Sequence, residues 1–484
     1  MIYIHWVLLL FYTLAVAIAM LKVLMDNRQP AKTLAWLLVL SFLPMVGIVL
    51  YFFFGQNTRK EKLISSHSMD QLTKRSMLEF AEQKGLEYPD ECRQLINLFY
   101  NQSMALPFKD NKVGIYTSGY TFFASLLEEL GKAEDHIHIE SYIFEDDALG
   151  NLVADVLIDK ARQGVEVRVI YDDVGNWNVS NAFYERMRSE GIDVHAFMPV
   201  RFPAFTSKVN YRNHRKLCIV DGKVGFIGGM NIALRYVKGT AKATWRDTHL
   251  KLEGGIVYAI QRAFLVDWYF VDRTLISDRR YYPIPTGTIS NDCLAQVVTS
   301  SPVALCPDIM QGYVRVLLKA NKYVYMESPY FMPTEQVLFA MCTAAMTGVD
   351  VKLMIPLHGD SRIVEWATRS YIEEIMEAGV KVYLYKSGFN HTKMMVSDDI
   401  ISTCGSTNID FRSFENNFEA NVFFYQRDMA LRMKELFYAD MNNCIALTHN
   451  MRKRLAGNRG RRHALKSFLT HLWISLMRLL SPLL

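Results

Sequence analysis

Cysteine is scarce and poorly placed for bonding. The seven residues, at positions 92, 218, 293, 306, 342, 404 and 444, include no Cys-x-x-Cys pair. An odd, scattered set excludes a disulfide framework and a thiolate metal site, and it points to free thiols in a reducing compartment. Charge is scarce too: 21% of the 484 residues are Asp, Glu, Lys or Arg, and the net charge is +5. That balance lacks the clustered basic face of a nucleic-acid binder. What the chain has instead is apolar sequence, half of its residues being hydrophobic.

The apolar excess gathers at the N-terminus. From Ile2 to Leu21 the one ionisable side chain is His5, and from Thr33 to Phe54 there is none. A helix of about 20 residues crosses a hydrocarbon layer of ~30 Å. Two transmembrane helices are therefore expected, over 1–24 and 33–55. A cleaved signal peptide is the alternative for the first run, with Ala15 and Ala17 as its small residues. No Lys or Arg precedes that run, which favours a retained helix. Pro44 and Gly47 interrupt the second run in a way membrane helices tolerate. Lys22, Arg28 and Lys32 on one side are matched by Arg59, Lys60 and Lys62 on the other, so basic residues do not set the orientation. The free thiols favour a cytoplasmic main domain and a multi-pass protein of the cell membrane.

Beyond a polar helical stretch at 60–108, a pattern starts and then repeats. In the first copy, a helix at 122–130 leads to the alternating strand HIHIESYIF, then a helix, then Gly164 and the apolar strand VEVRVIY, then a helix, Gly191 and IDVHAF. In the second, a helix at 311–320 leads to YVYMESPYF, a helix, Gly348 with VDVKLMI, a helix, and Gly379 with VKVYLY. Such alternation predicts a largely parallel sheet flanked by helices, in two tandem lobes at 109–285 and 286–446. A basic tail at 447–484 follows. Between Arg452 and Arg478 it has eight Lys or Arg and no acid, with apolar residues at helical spacing. That is a basic amphipathic helix, suited to an anionic membrane surface, with docking on the protein itself as the alternative.

Each lobe reaches the same signature. The first reads Asn213-His214-Arg215-Lys216, then Asp221, Gly228-Gly229 and Asn231. The second reads Asn390-His391-Thr392-Lys393, then Asp398, Gly405-Ser406 and Asn408. One HxKxxxxD is weak, whereas two at matching places in a repeat are specific. At these residues the chain resembles the phospholipase D superfamily, over about 112–443. More narrowly it is similar to the bacterial cardiolipin synthases. The run AWLLVLSFLPMVGIVLYFFFG, the WRDTH after the first motif, GSTNIDFRSFENNFE at the second and the final SPLL carry that likeness.

The resemblance implies an α/β fold of two phospholipase D-like lobes about a pseudo-twofold, with the two histidines converging on one phosphorus. It implies His214 as nucleophile, forming a phosphohistidine, and His391 as general acid and base, with the reverse assignment left open. Lys216 and Lys393 would neutralise the phosphoryl oxygens, and Asn231, Asn408 and Ser406 would donate hydrogen bonds to them. Each imidazole needs an acceptor on its second nitrogen. Asp247 in WRDTH and Glu419 in NNFEAN are the candidates. Asp221 and Asp398 complete the catalytic motif but sit in tight turns, VDGK and SDDI, where a structural role competes. Glu140 and Glu327 occupy matching strand positions and either line the site or stabilise its strands. The chemistry needs no metal and no cofactor.

The implied substrate is an anionic phospholipid, because two spans would hold the site at a bilayer. The implied reaction joins two phosphatidylglycerols into cardiolipin and glycerol. MPVRFPAFTSKVNYR, an additional stretch before the first motif, is expected to meet lipid beside the site. A hydrolase, a phosphatidyltransferase with another alcohol, a membrane-tethered nuclease and a catalytically silent scaffold are the rivals. Nucleic acid is not an expected partner.

Overall fold

In the computed structural model, residues 2–25, 30–51, 88–200, 210–241, 243–283, 293–304, 306–448, 473, 477 and 478 are described. A single 16-stranded sheet carries both lobes. From its outer edge inward, the first lobe places strands Asp193–Phe197, Glu166–Asp172, His136–Ser141, Lys216–Val220, Val224–Gly228, His249–Glu253 and Pro107–Tyr116. In the second lobe the order is Lys381–Tyr385, Asp350–Pro356, Tyr323–Glu327, Met394–Ser397, Ile401–Gly405, Asn417–Phe424 and Cys293–Ser300. The sequences of steps are the same, and the lobes join where Pro107–Tyr116 pairs antiparallel with Cys293–Ser300. The short strand Cys444–Ala446 extends the second lobe's edge.

The sheet is mixed, which corrects the expectation of a largely parallel one. The three outer strands of each lobe are parallel, linked by crossover helices. The motif strands run antiparallel to their neighbours. The reason is local. Asp221 (φ 53°) and Gly222 (φ 63°) turn the chain back at once, as do Asp398 (φ 55°) and Asp399 (φ 57°). Consecutive left-handed residues make the tight hairpin turn in which Asp and Gly are favoured. A side chain at Gly222 would also meet Pro283 Cδ at 2.6 Å.

Among the described residues of the two lobes, apolar side chains form three cores. One is shared by both lobes on one face of the sheet, beneath helices Val257–Asp272 and Arg427–Met441. On the other face each lobe has its own. The helix Asp90–Ser103 departs from the sequence reading. Expected in a linker, it packs instead into the second lobe's core through Cys92, Leu95, Ile96 and Phe99. Phe99 rests against Gly312, where an added Cβ would come within 2.4 Å of the ring. Gly312→Ala should therefore cost about 1–3 kcal/mol, read as a lower melting temperature.

At the N-terminus, helix Ile2–Met25 is long and apolar enough to cross a membrane. The second expected span, 33–55, is not one long helix. Its described part is divided at Leu43 into Pro30–Phe42 and Pro44–Leu50, with Pro44 at the start of the second piece. Proline has no N–H to continue the first helix and fits a first helical turn, which is why the break falls there. Positions 52–55 lie outside the described residues, as does the predicted linker up to 87. Of the basic tail, Leu447, Thr448, Trp473, Met477 and Arg478 are described, and the last three dock on the protein. Met477 is buried in the second lobe's core, Trp473 meets Trp366 edge-on, and Arg478 bonds Glu374 at 2.7 Å.

Candidate active site

Both motif histidines lie where the lobes join. Each is fixed by the opposite lobe, first through backbone. Arg212–Asn213 pairs in parallel with Asn417–Phe418, and His214 N donates to Phe418 O at 2.9 Å. Phe389–Asn390 pairs with Trp245–Arg246, and His391 N donates to Arg246 O at 2.7 Å. These strands carry the acids, so the side chains cross as well. His214 Nδ1 is 3.0 Å from both carboxylate oxygens of Glu419. His391 Nδ1 is 2.7 Å from Asp247 Oδ2. Lys393 Nζ stands 2.8 Å from that same Nδ1, and one tautomer cannot satisfy both contacts. The buried negative charge of Asp247 puts the hydrogen on Nδ1, and Lys393 donates to His391 O instead. On each ring Nε2 then presents a lone pair, with no hydrogen-bond partner among the described residues.

Electrostatics favours neutral rings. Burial pushes His214 down to about 4, with the Lys216 ammonium adding and Glu419 opposing. Burial and Lys393 push His391 down to about 3 against the pull of Asp247. Burial also brings Lys216 down to about 7, and it lowers Lys393. The carboxylates of Glu419 and Asp247 are held below their usual range against burial, Glu419 chiefly by His214 and Asp247 chiefly by Lys393. Two lysines and two carboxylates thus balance in one buried cluster.

The motif asparagines Asn213 and Asn390 each accept from the backbone two residues on and donate to a buried glutamate, Glu140 or Glu327. Burial pushes Glu327 up to about 8, with Asp440 adding, and it raises Glu140 as well, with Asp267 adding. Arg246 carries the second lobe's version of this network. It bonds Asp440 at 2.6 Å and Thr392 Oγ1 at 2.9 Å. In the first lobe Arg215 bonds Asp267 and the carbonyl of Glu419.

Other predicted residues are placed differently. Asp221 and Asp398 stand at the far ends of the motif strands, five residues from Lys216 and Lys393. That separation is about 16 Å of extended chain. Asp221 accepts from the backbone N–H of Glu134, Asp135 and His136, at 3.0, 2.8 and 3.0 Å. Asp398 does the same for Asn321, Lys322 and Tyr323, at 2.7, 2.9 and 2.8 Å. Their expected catalytic place is corrected: each ties the hairpin turn to the start of the neighbouring strand. Ser406 donates to Glu419, while its counterpart Gly229 leaves no room for a side chain, since a Cβ would lie 2.1 Å from Asp247 Oδ1. Asn231 is held by Tyr236 Oη at 2.9 Å and by the backbone of Ile143 at 3.2 Å. Asn408 lies near Asp410 and lowers its carboxyl against the burial that raises it.

Sequence reasoning left the aromatic wall unassigned. Trp245, Phe389, Tyr236 and Tyr330 surround the His391 ring at 5.3, 5.7, 6.1 and 6.1 Å. Tyr142 stands beside His214 at 4.9 Å. Asp267 and Asp440 were also missed. A signal existed: they follow Asp247 and Glu419 by 20 (267 − 247) and 21 (440 − 419) residues. The aromatic and basic stretch before the first motif falls largely at 201–209, outside the described residues. A cleft of about 650 Å³ on the first lobe holds no motif residue, and its lysines 112, 132 and 251 are paired with glutamates.

Two α/β lobes on one sheet, with acid-backed histidines at their junction, define the phospholipase D type of enzyme. Residues 126–264 and 313–441 match the family described as cardiolipin synthase, PLD-like domain, and residues 13–56 match phospholipase D-nuclease N-terminal. The cardiolipin synthase of Oceanobacillus iheyensis is 38% identical over 451 residues, 91% of this chain and 93% of that one. For Listeria monocytogenes the figures are 36% over 492 aligned positions and 99% of each chain. The solved phosphatidylserine synthase of Haemophilus influenzae superposes with a TM-score of 0.62 at 15% identity, over 82% of this chain and 100% of that one, a likeness of fold. The chain belongs to the cardiolipin synthase family of membrane-associated phosphatidyltransferases.

Proposed function

We propose that this enzyme transfers a phosphatidyl group from one phosphatidylglycerol to another, giving cardiolipin and glycerol. The observation that carries the reading is the pair of buried, neutral imidazoles, each held by an acid of the opposite lobe. His214 Nε2 attacks the phosphorus of the first lipid, and the bond from phosphorus to the glycerol oxygen breaks. His391, protonated once the phosphate anion offsets the lysine charges, gives its proton to the departing glycerol. The hydroxyl of the second lipid then attacks the phosphorus. The bond to His214 breaks, and His391 Nε2 takes the hydroxyl proton. Glu419 balances the positive phosphoimidazole, and Ser406 and Asn417 hold that carboxylate in place. Lys216 and Lys393 neutralise the phosphoryl oxygens, and Asn231 and Asn408 border them.

Transfer wins over hydrolysis when water is kept from the base. The aromatic wall around His391, itself 5% exposed, supports that preference. The apolar N-terminal helices hold the site at the bilayer as a multi-pass anchor, with the lobes on the cytoplasmic side, where the seven free cysteines stay reduced. The test is a product assay. Purified enzyme with labelled phosphatidylglycerol in vesicles should release glycerol and cardiolipin in equal amounts. Phosphatidic acid as the sole product would replace this reading with a hydrolase.

A further inference from the structure

The duplication runs past the motif asparagines. Arg235 follows Asn231 by four residues, and Arg412 follows Asn408 by four. Each lobe thus carries one such arginine, but the two are held differently. Arg235 Nη1 is 3.3 Å from Glu145 Oε2, and its guanidinium stacks over Trp245 at 5.4 Å. The guanidinium of Arg412, half-buried on the short helix Phe411–Glu415, makes no hydrogen bond or ion pair among the described residues. Its field reaches Tyr142 and Asp172. Tyr142 has no hydrogen-bond partner for its hydroxyl among the described residues either. Its ring is 4.9 Å from His214 and 5.2 Å from Lys216 Nζ.

The reaction brings two anions to one site, and the cluster around the histidines serves one of them. Lys216 and Lys393 face the phosphoryl group in transfer, and Glu419 and Asp247 already offset their charge. The second lipid's own phosphate has no cation assigned to it. In a glycerol headgroup three carbons separate that phosphate from the attacking hydroxyl, so it sits one headgroup outward from the reacting phosphorus. We propose that Arg412, on the short helix between Asn408 and the strand that carries Glu419, binds the phosphate of the acceptor lipid. This inference rests on the transferase reading above. Arg412 exchanges no proton. The acceptor oxygen bonds to phosphorus, the bond to His214 breaks and the proton goes to His391, while the guanidinium fixes where the hydroxyl arrives. A planar guanidinium suits bidentate binding of phosphate oxygens.

The test compares two acceptors in one reaction. Vesicles of labelled phosphatidylglycerol are given a neutral short-chain alcohol, and cardiolipin and phosphatidyl-alcohol are both counted. Arg412→Gln should lower the ratio of cardiolipin to phosphatidyl-alcohol by about 10-fold or more, the worth of one charge-assisted bond. It should also raise the half-saturating phosphatidylglycerol density. Arg412→Lys should restore part of the ratio, since it keeps the charge without the fork. An unchanged ratio in Arg412→Gln would overturn the proposal, whether both products persist or both fall together. Wild-type enzyme that forms phosphatidyl-alcohol but no cardiolipin would instead defeat the reading that a second phosphatidylglycerol is the acceptor, before any variant is made.

Discussion

His214 and His391 hold equivalent places in two lobes with one strand order, yet their surroundings have diverged. His214 is backed by the longer acid, Glu419, which a serine and an asparagine steady. His391 is backed by the shorter Asp247, packed against a glycine. Among the described residues, one ring flanks His214 and four surround His391. The arginine on the Arg412 side is unpaired and its partner Arg235 is not. Duplication supplies two imidazoles in mirrored geometry. In the mechanism proposed above, divergence around them serves two roles, a polar pocket for a covalent intermediate and a dry pocket for a proton.

The largest expected break in this comparison comes from the rings themselves. His214→Ala should lower turnover by about 10⁴-fold or more, because covalent chemistry is lost with the nucleophile. His391→Ala should reduce transfer to ordinary lipid by about 10²–10⁴-fold, the usual worth of a general acid and base. Assaying both with a substrate whose leaving group needs no proton separates them: His391→Ala should recover the first step, and His214→Ala should not.

The glycine and serine come next. In Gly229→Ser the new Cβ would strike Asp247, so His391 should lose its acceptor and turnover should fall by about 10²-fold. Ser406→Gly should cost far less, since Asn417 still holds Glu419 at 3.1 Å. Equal losses in steady-state rates would erase the asymmetry argued above.

Asp221→Ala should act on stability rather than chemistry. Three backbone N–H groups lose a carboxylate acceptor, at a cost of about 2–3 kcal/mol in denaturant unfolding, while folded enzyme keeps its turnover.

The sequence made the duplication legible, because the motif and the glycine and asparagine that follow it recur at the same spacing. It did not reveal that the acids are exchanged. His214 and Glu419 are 205 residues apart, and His391 and Asp247 are 144 apart. Which acid meets which ring is decided by how the lobes join edge to edge, a long-range event with no local signature. The mixed sheet was half legible. The Asp-Gly turn signals a hairpin, but the crossover pattern of the outer strands is stronger in the sequence and hid it. The helix Asp90–Ser103 looked like a linker because its apolar face fits a core formed more than two hundred residues later in the chain. The separate fates of Arg235 and Arg412 depend on neighbours brought in by folding.

A smaller effect should follow pH. The folded protein holds His214 near 4 and His391, His138 and His249 near 3, against about 6.5 when unfolded. The unfolded chain binds more protons in that window, so stability is full above about 6.5 and declines as pH falls toward 4. Chemical denaturation across pH 7 to 4 should trace that decline, and His249→Gln should flatten it by one histidine's share.

The most direct test of the account is to find the covalent intermediate. Enzyme mixed briefly with labelled phosphatidylglycerol, quenched without acid and digested, should yield a phosphatidyl adduct on the peptide carrying His214 and none on the peptide carrying His391. An adduct on His391, or label transfer with no adduct on either histidine, would contradict it.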